Sequence, residues 1–228
     1  NQYVPQAHIE RMLADPDAYQ FTGDSKELTV LFADIRSFTT ISEHLSAADL
    51  KAMLNQYFTP ITKIIFDNEG TIDKYVGDMV MAFWGAPIED EQHAHHGILA
   101  ALEMQRMTAI ISTEFMARGL PEIKIGVGLN SGTMNVGDMG SSYRRAYTVL
   151  GDAVNLGSRL ESITKFYGAD ILVGERTAEL CPDIVFSFVD RIQVKGKDEP
   201  IGVYQPLGLA ANVSREQKDE VARFSLAY

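Results

Sequence analysis

The 228-residue chain has one cysteine, Cys181, and one tryptophan, Trp84. A single thiol rules out an intrachain disulfide, so the fold must hold by packing, as is usual in a reducing compartment. Positive charge is also scarce: 20 lysines and arginines face 31 acids, for a net charge of −11. A nonspecific nucleic-acid surface needs a basic face, so no nucleic-acid partner is expected. A small anionic substrate stays open, because a local basic pocket or a bound cation overrides the bulk field. No apolar run approaches the roughly 20 residues of a membrane span, and no signal peptide is visible. No direct membrane contact is therefore expected from this stretch, and a cytoplasmic location is. The chain begins at Asn1 rather than methionine, so a longer, membrane-anchored parent remains compatible. Internal repeats and low-complexity segments are missing too.

What is present is ample apolar material, 46% of residues, enough for a packed core. Two stretches organise it. Leu28 to Thr39 is an apolar run ending in Asp34. Asp73 to Gly85 reads as two short strands pinched together at Gly77-Asp78, a good tight-turn pair because glycine accepts positive φ and aspartate bonds its own backbone. That turn displays the Asp78 carboxylate at a rigid tip.

Around these stretches the pattern alternates. Glu27 to Ala33 is apolar on both faces and so reads as a central strand. Ser46 and Asp49 form a capping-box pair ahead of a helix carrying Leu50, Met53, Tyr57, Ile61 and Ile65, with Pro60 as a bend and Gly70 as its closing cap. Ile88 to Glu91 place acids at the start of a second long helix. His93, His95 and His96 there read as exposed helix-start histidines rather than a metal cluster. Ile123 to Leu129 is a strand, 130–132 a turn, Thr133 to Val136 its hairpin partner, and Gly137 to Ser142 a flexible loop. Arg144 to Leu150 returns as a strand. Asp152 caps a third helix that ends at Gly168. Strands from Ile171, Ile184 and Ile201 follow, the last two joined around Lys195 to Pro200. The fold class is α+β: a ferredoxin-like split βαβ core (βαββαβ) with additional C-terminal strands and helices, the sheet flanked by helices. Residues 1–24 read as a lead-in containing a short amphipathic helix, 25–208 as the main domain and 209–228 as a polar tail.

In such a sheet the end of the first strand and the tip of the 72–83 hairpin meet at one edge, which brings Asp34 toward Asp78. Two carboxylates ~5 Å apart repel by about 3 kcal/mol at an effective dielectric of ~20. Protonating one relieves this, and so does a divalent cation. Oxygen-rich acids facing a phosphate suit Mg²⁺ or Mn²⁺ and a two-metal in-line displacement. The residues alone leave a second reading open, with Asp34 as a helix cap and Asp78 as a turn former.

Three segments in order, Phe32 to Thr39, the Lys74 to Asp78 hairpin, and Tyr147 to Glu161, resemble the class III nucleotidyl cyclase catalytic domain, most closely a bacterial threonine subgroup of adenylate cyclases. The resemblance covers about Glu27 to Leu207. It implies that Asp34 and Asp78, with the backbone carbonyl of Ile35, bind two Mg²⁺ or Mn²⁺ ions per active site. It implies that the ribose 3′-hydroxyl of a nucleoside triphosphate attacks its own α-phosphate, giving a 3′,5′-cyclic monophosphate and pyrophosphate. Lys74 and Thr148 fall at the base-contacting positions. An ammonium only donates, which suits the acceptor N1 of adenine rather than the protonated N1 of guanine. Threonine both donates and accepts, so it discriminates less sharply, and lysine carries the case for ATP. Asn155 and Arg159, four apart on one helix face, fall at the ribose-orienting and phosphate-stabilising positions; the planar charged fork of arginine matches phosphate oxygens. Lys195 and Lys197 flank a glycine in a turn like the family's triphosphate-contacting loop, with Lys195 preferred.

The resemblance further implies a homodimer with two active sites at the interface, the acids from one subunit and Lys74, Thr148, Asn155 and Arg159 from the other. The threonine subgroup includes bicarbonate-responsive members, which raises bicarbonate stimulation as an expectation; a flat dose response at fixed pH would remove it. The alternatives are a guanylate cyclase, which usually carries an acid at the lysine position, and a non-catalytic nucleotide-binding dimerisation module, whose degenerate members lose an aspartate or the arginine. Diguanylate cyclases share the topology, but their Gly-Gly-Asp/Glu-Glu-Phe hairpin is missing here.

Overall fold

A computed structural model of the chain describes residues 10, 13–14, 23–141, 145–193 and 199–217. The expected N-terminal amphipathic helix lies largely outside the described residues, as do Lys195 and Lys197. The elements run β1 (Asp24–Ile35), α1 (Phe38–Glu43), α2 (Ala47–Asp67), β2 (Thr71–Val76), β3 (Met79–Trp84), α3 (His93–Ala117), β4 (Ile125–Gly140), β5 (Arg145–Leu150), α4 (Asp152–Tyr167), β6 (Ile171–Gly174), α5 (Glu175–Glu179), β7 (Ile184–Ile192) and β8 (Ile201–Leu209). They build one sheet in the order β2-β3-β1-β4-β6-β8-β7, with β5 paired to β4 off that path. The first four neighbours are mutually antiparallel and reproduce the split βαβ order, with β1 between β3 and β4. Among the described residues no helix is long and apolar enough to cross a membrane.

β1 is central because both its faces are apolar. Leu31, Ala33 and Ile35 join a core with Tyr57, Ile61 and Ile65 of α2 and Ile98, Met104 and Phe115 of α3. Leu28, Val30 and Phe32 point the other way, into a second cluster with Met81, Phe83, Val149 and Val154. Helix α2 starts as its sequence dictates: the Asp49 amide donates to Ser46 Oγ at 3.1 Å while Ser46 Oγ donates to the Asp49 carboxylate at 2.6 Å.

Several expectations are corrected. Residues 130–132 do not turn; β4 is continuous and pairs with β1 from Ile125 to Val136. Its polar middle is tolerated because it is bonded in the interior. Ser131 meets Thr29 at 2.7 Å and Thr177 at 3.0 Å, and Asn130 donates to the Ala153 carbonyl. Gly137 to Gly140 is likewise strand, paired with β5 from Gly140↔Arg145 to Gly137↔Thr148. Gly70 is not a left-handed cap; Glu69 takes the positive φ of 64°. Glycine is needed at 70 for room, because a Cβ there would lie 2.6 Å from Ile65 Cγ2 and 2.8 Å from the Trp84 ring. The α3 histidines are not exposed helix-start residues. His93 is buried with Nδ1 2.7 Å from Thr29 Oγ1, His96 Nδ1 lies 2.8 Å from Asp90, and His95 Nε2 lies 2.9 Å from Asp183. The acids at 89–91 precede α3, whose N-cap is Gln92, and Asp152 is the first residue of α4 after its N-cap Gly151.

Helix α4 lies close over β1 and β4 because both surfaces are stripped of side chains where they touch. A Cβ on Gly128 would fall 2.1 Å from the Glu161 amide nitrogen and 2.5 Å from the Gly157 carbonyl oxygen. Neither neighbour is a flexible side-chain end, so the helix itself must move. Gly128→Ala is expected to destabilise the domain by about 3 kcal/mol, read as a lowered midpoint in urea unfolding at unchanged slope. Wild-type stability in that variant would show that α4 is not seated on β4 as described.

Candidate active site

The site is built on the ends of β1 and the β2–β3 hairpin. Gly77, with φ of 64°, makes the two-residue turn that leads into Asp78. The hairpin pairs β3 with β1 as far as Ala33↔Val80, so its tip reaches the end of β1. There the Ile35 amide donates to Asp78 Oδ2 at 3.1 Å. The Asp78 carboxyl also lies against that of Asp34. Burial first, and then Asp34, pushes the Asp78 acid up to about 7 against the pull of the Ile35 amide. Asp34 Oδ1 is buried and, among the described residues, has no hydrogen-bond partner. Two further groups sense this charge. Tyr57 of α2 is buried near the pair with a hydroxyl that meets no hydrogen-bond partner among the described residues, its acidity suppressed by burial and by Asp34 and Asp78. Glu161 of α4 is pushed up to about 7 by burial and then by Asp34.

Paired acids with an orphaned buried oxygen are a hard, anionic donor set that suits Mg²⁺ or Mn²⁺. Among the described residues no group of three or more His, Cys, Asp or Glu could hold a metal. Two carboxylates still suffice for Mg²⁺, which is commonly held by one or two of them together with substrate phosphates. The residues present therefore fit a substrate-completed metal centre.

A second constellation forms around Asp73, which was not singled out from the sequence. Lys74 Nζ lies 3.1 Å from Asp73 Oδ1, close enough for an ion pair although not aligned as a hydrogen bond. Thr148 Oγ1 donates to Asp73 Oδ2 at 2.5 Å, and the Val149 amide donates to the same oxygen at 3.4 Å. The structure thus brings Lys74 and Thr148 together through a shared carboxylate. Asn155 and Arg159 lie on one exposed face of α4, opposite the face that seats Gly157 and Leu160. Lys195 and Lys197 cannot be placed, lying outside the described residues.

The sequence model of the "Adenylate and Guanylate cyclase catalytic domain" family matches residues 22–205. The chain belongs to that family. Within it, the chain is 35% identical over 224 residues to "Adenylate cyclase 1" of Rhizobium meliloti, covering 96% of this chain and 33% of the relative. The crystal structure of the adenylyl cyclase CyaB from P. aeruginosa is 35% identical with a TM-score of 0.76, over 84% of this chain and 99% of that one. A crystal structure of a guanylyl cyclase is 30% identical with a TM-score of 0.77, over 84% of this chain and 98% of that one. The chain therefore spans about a third of the length of that curated Rhizobium relative but nearly all of both solved cyclases. The cyclase fold accounts for the single sheet flanked by helices, and the family is one that works with divalent metal ions.

Proposed function

We propose that this cyclase domain is an adenylate cyclase, converting ATP to 3′,5′-cyclic AMP and pyrophosphate as a cytoplasmic homodimer with two shared sites. The observation that carries the choice of base is Lys74 held beside Thr148 at one buried carboxylate. An ammonium donates to the acceptor N1 of adenine and opposes the N1–H of guanine. The relative named adenylate cyclase at 35% identity supports the same reading.

Asp34, Asp78 and the Ile35 carbonyl would hold two divalent cations. When bound, those ions would lower the pKa of the 3′-hydroxyl and offset charge on the triphosphate. This chain's own groups do the rest. The β1 end and the hairpin tip fix both carboxylates before substrate arrives, so no reorganisation is needed at the moment of reaction. Asn155 would orient the ribose, and Arg159 would hold the equatorial oxygens of the reacting phosphate with two parallel donors. Lys195 or Lys197 would receive the triphosphate. Dimerisation is supported by apolar side chains left in water beside the base pocket: Val76 is 54% exposed and Leu150 53%, each two residues from a base-contacting position.

The test is cyclic nucleotide formation from ATP and from GTP, each with Mg²⁺ and with Mn²⁺. ATP is expected to exceed GTP in kcat/KM by at least about tenfold. Lys74→Glu combined with Thr148→Cys is expected to move the preference toward GTP. A wild-type preference for GTP would assign the domain to guanylate cyclases, and no product from either would assign it to the non-catalytic members.

A further inference from the structure

We propose that Asp73 is a positioning residue that fixes the Thr148 hydroxyl as a hydrogen-bond acceptor toward the base, so that the site selects purines with an amino group at C6. The inference rests on the adenylate cyclase reading and deepens it. Threonine alone is ambiguous, because its hydroxyl can donate or accept. Here the ambiguity is removed. The side chain of Asp73 is only 1% exposed. A carboxylate accepts and does not donate, and Thr148 spends its one proton on Asp73 Oδ2 at 2.5 Å. Only lone pairs remain on Thr148 Oγ1 for a ligand. They would receive a 6-amino group and repel a 6-oxo group.

The local backbone is shaped for this. The β2–β3 register slips between Ile72↔Ala82 and Lys74↔Met81, leaving Asp73 as the extra residue of a bulge. Bulges re-aim side chains beside functional sites. The slip buries Asp73, while Lys74, next in sequence, remains exposed with its ammonium 3.1 Å from Asp73 Oδ1. One acid therefore holds a donor for N1 beside an acceptor for the C6 substituent. That pattern is the complement of adenine and the inverse of guanine.

The experiment compares ATP, GTP and purine riboside triphosphate, which lacks the 6-amino group, on the wild type, Asp73→Asn, Thr148→Val and the double variant, with circular dichroism as the folding control. The wild type is expected to favour ATP over purine riboside triphosphate by about tenfold in kcat/KM. In Asp73→Asn the amide can donate to Thr148 and turn its proton outward, so this preference is expected to fall toward one and the ATP-to-GTP ratio to drop by about tenfold. Thr148→Val should abolish the same discrimination, and adding Asp73→Asn to it should change the ratios no further. Equal loss on all three nucleotides in Asp73→Asn, with ratios unchanged, would overturn the proposal and leave the adenylate cyclase reading standing. A wild type that handles ATP and purine riboside triphosphate alike overturns it without any variant, should Asp73→Asn not fold. A wild-type preference for GTP overturns both readings.

Discussion

An equal mixture of Asp34→Ala and Asn155→Ala chains is expected to regain about one quarter of wild-type activity, although each variant alone is nearly dead. Asp34 belongs to the paired acids, and its loss would remove half of the carboxylate charge proposed to hold the cations, costing on the order of a thousandfold. Asn155 sits on the exposed face of α4, away from the packed face. If the acids of one chain and the α4 residues of its partner complete each site, a mixed dimer carries both lesions in one site and neither in the other. Random pairing makes about half of the dimers mixed, each with one intact site of two, which gives about one quarter. The control is Asp34→Ala mixed with Asp78→Ala. Both lesions then strike the acid side, every site keeps one of them, and no recovery is expected. Co-purification of differently tagged chains confirms that mixed dimers form. Mixed dimers without recovery in the first pair would place all the catalytic groups within one chain.

The sequence was readable where a local rule and the tertiary context agree. The apolar residues on both faces of β1 announced a central strand, and Gly77-Asp78 announced a two-residue hairpin; strand order then brought Asp78 to the end of β1 beside Asp34. The Ser46–Asp49 cap is a local device and was legible for that reason. Where tertiary context overrides local preference the reading failed. Asn130-Ser-Gly132 has turn chemistry, yet buried partners on β1, α4 and α5 hold Asn130 and Ser131 extended. Gly70 resembles a cap but is chosen by the volume of Trp84 and Ile65. Polar helix-start histidines look solvated until Thr29, Asp90 and Asp183 are seen to meet them. Asp73 gave no local signal beyond an acid next to apolar Ile72, because its partner Thr148 is 75 residues away and the bulge that aims it is a property of strand pairing. Lys74 and Thr148, the residues proposed to read the base, were therefore named from their motif, while the carboxylate that joins them emerged only from packing.

Asp78→Asn is expected to abolish activity while stabilising the metal-free protein, and the stabilisation should grow with pH. In the native state the Asp78 acid is pushed up to about 7, against an ordinary value of 3.8, chiefly by burial and then by Asp34. Between those two values the native state holds a proton that the unfolded chain has released. The native state binds more protons, so stability falls as pH rises from about 4 to about 7 and levels off above. Glu161, pushed up to about 7 as well, adds a slope of the same sign. His93, lowered by burial, acts oppositely and costs stability as pH falls through about 6.5. Comparing Asp78→Asn with the wild type isolates one group from the other two, since asparagine cannot ionise. In EDTA the two proteins should melt together near pH 4. By pH 8 the variant should be more stable by about 1 kcal/mol, a figure that allows for the solvent screening of a half-buried acid. Saturating Mg²⁺ should reverse the order at pH 8, because cation binding offsets the repulsion only where both carboxylates are present. Cyclase activity of the variant should fall on the order of a thousandfold at every pH. Identical melting of the two metal-free proteins at pH 4 and pH 8 would mean that the acids do not repel one another in the native state, and the case for a shared metal site would lose its electrostatic basis.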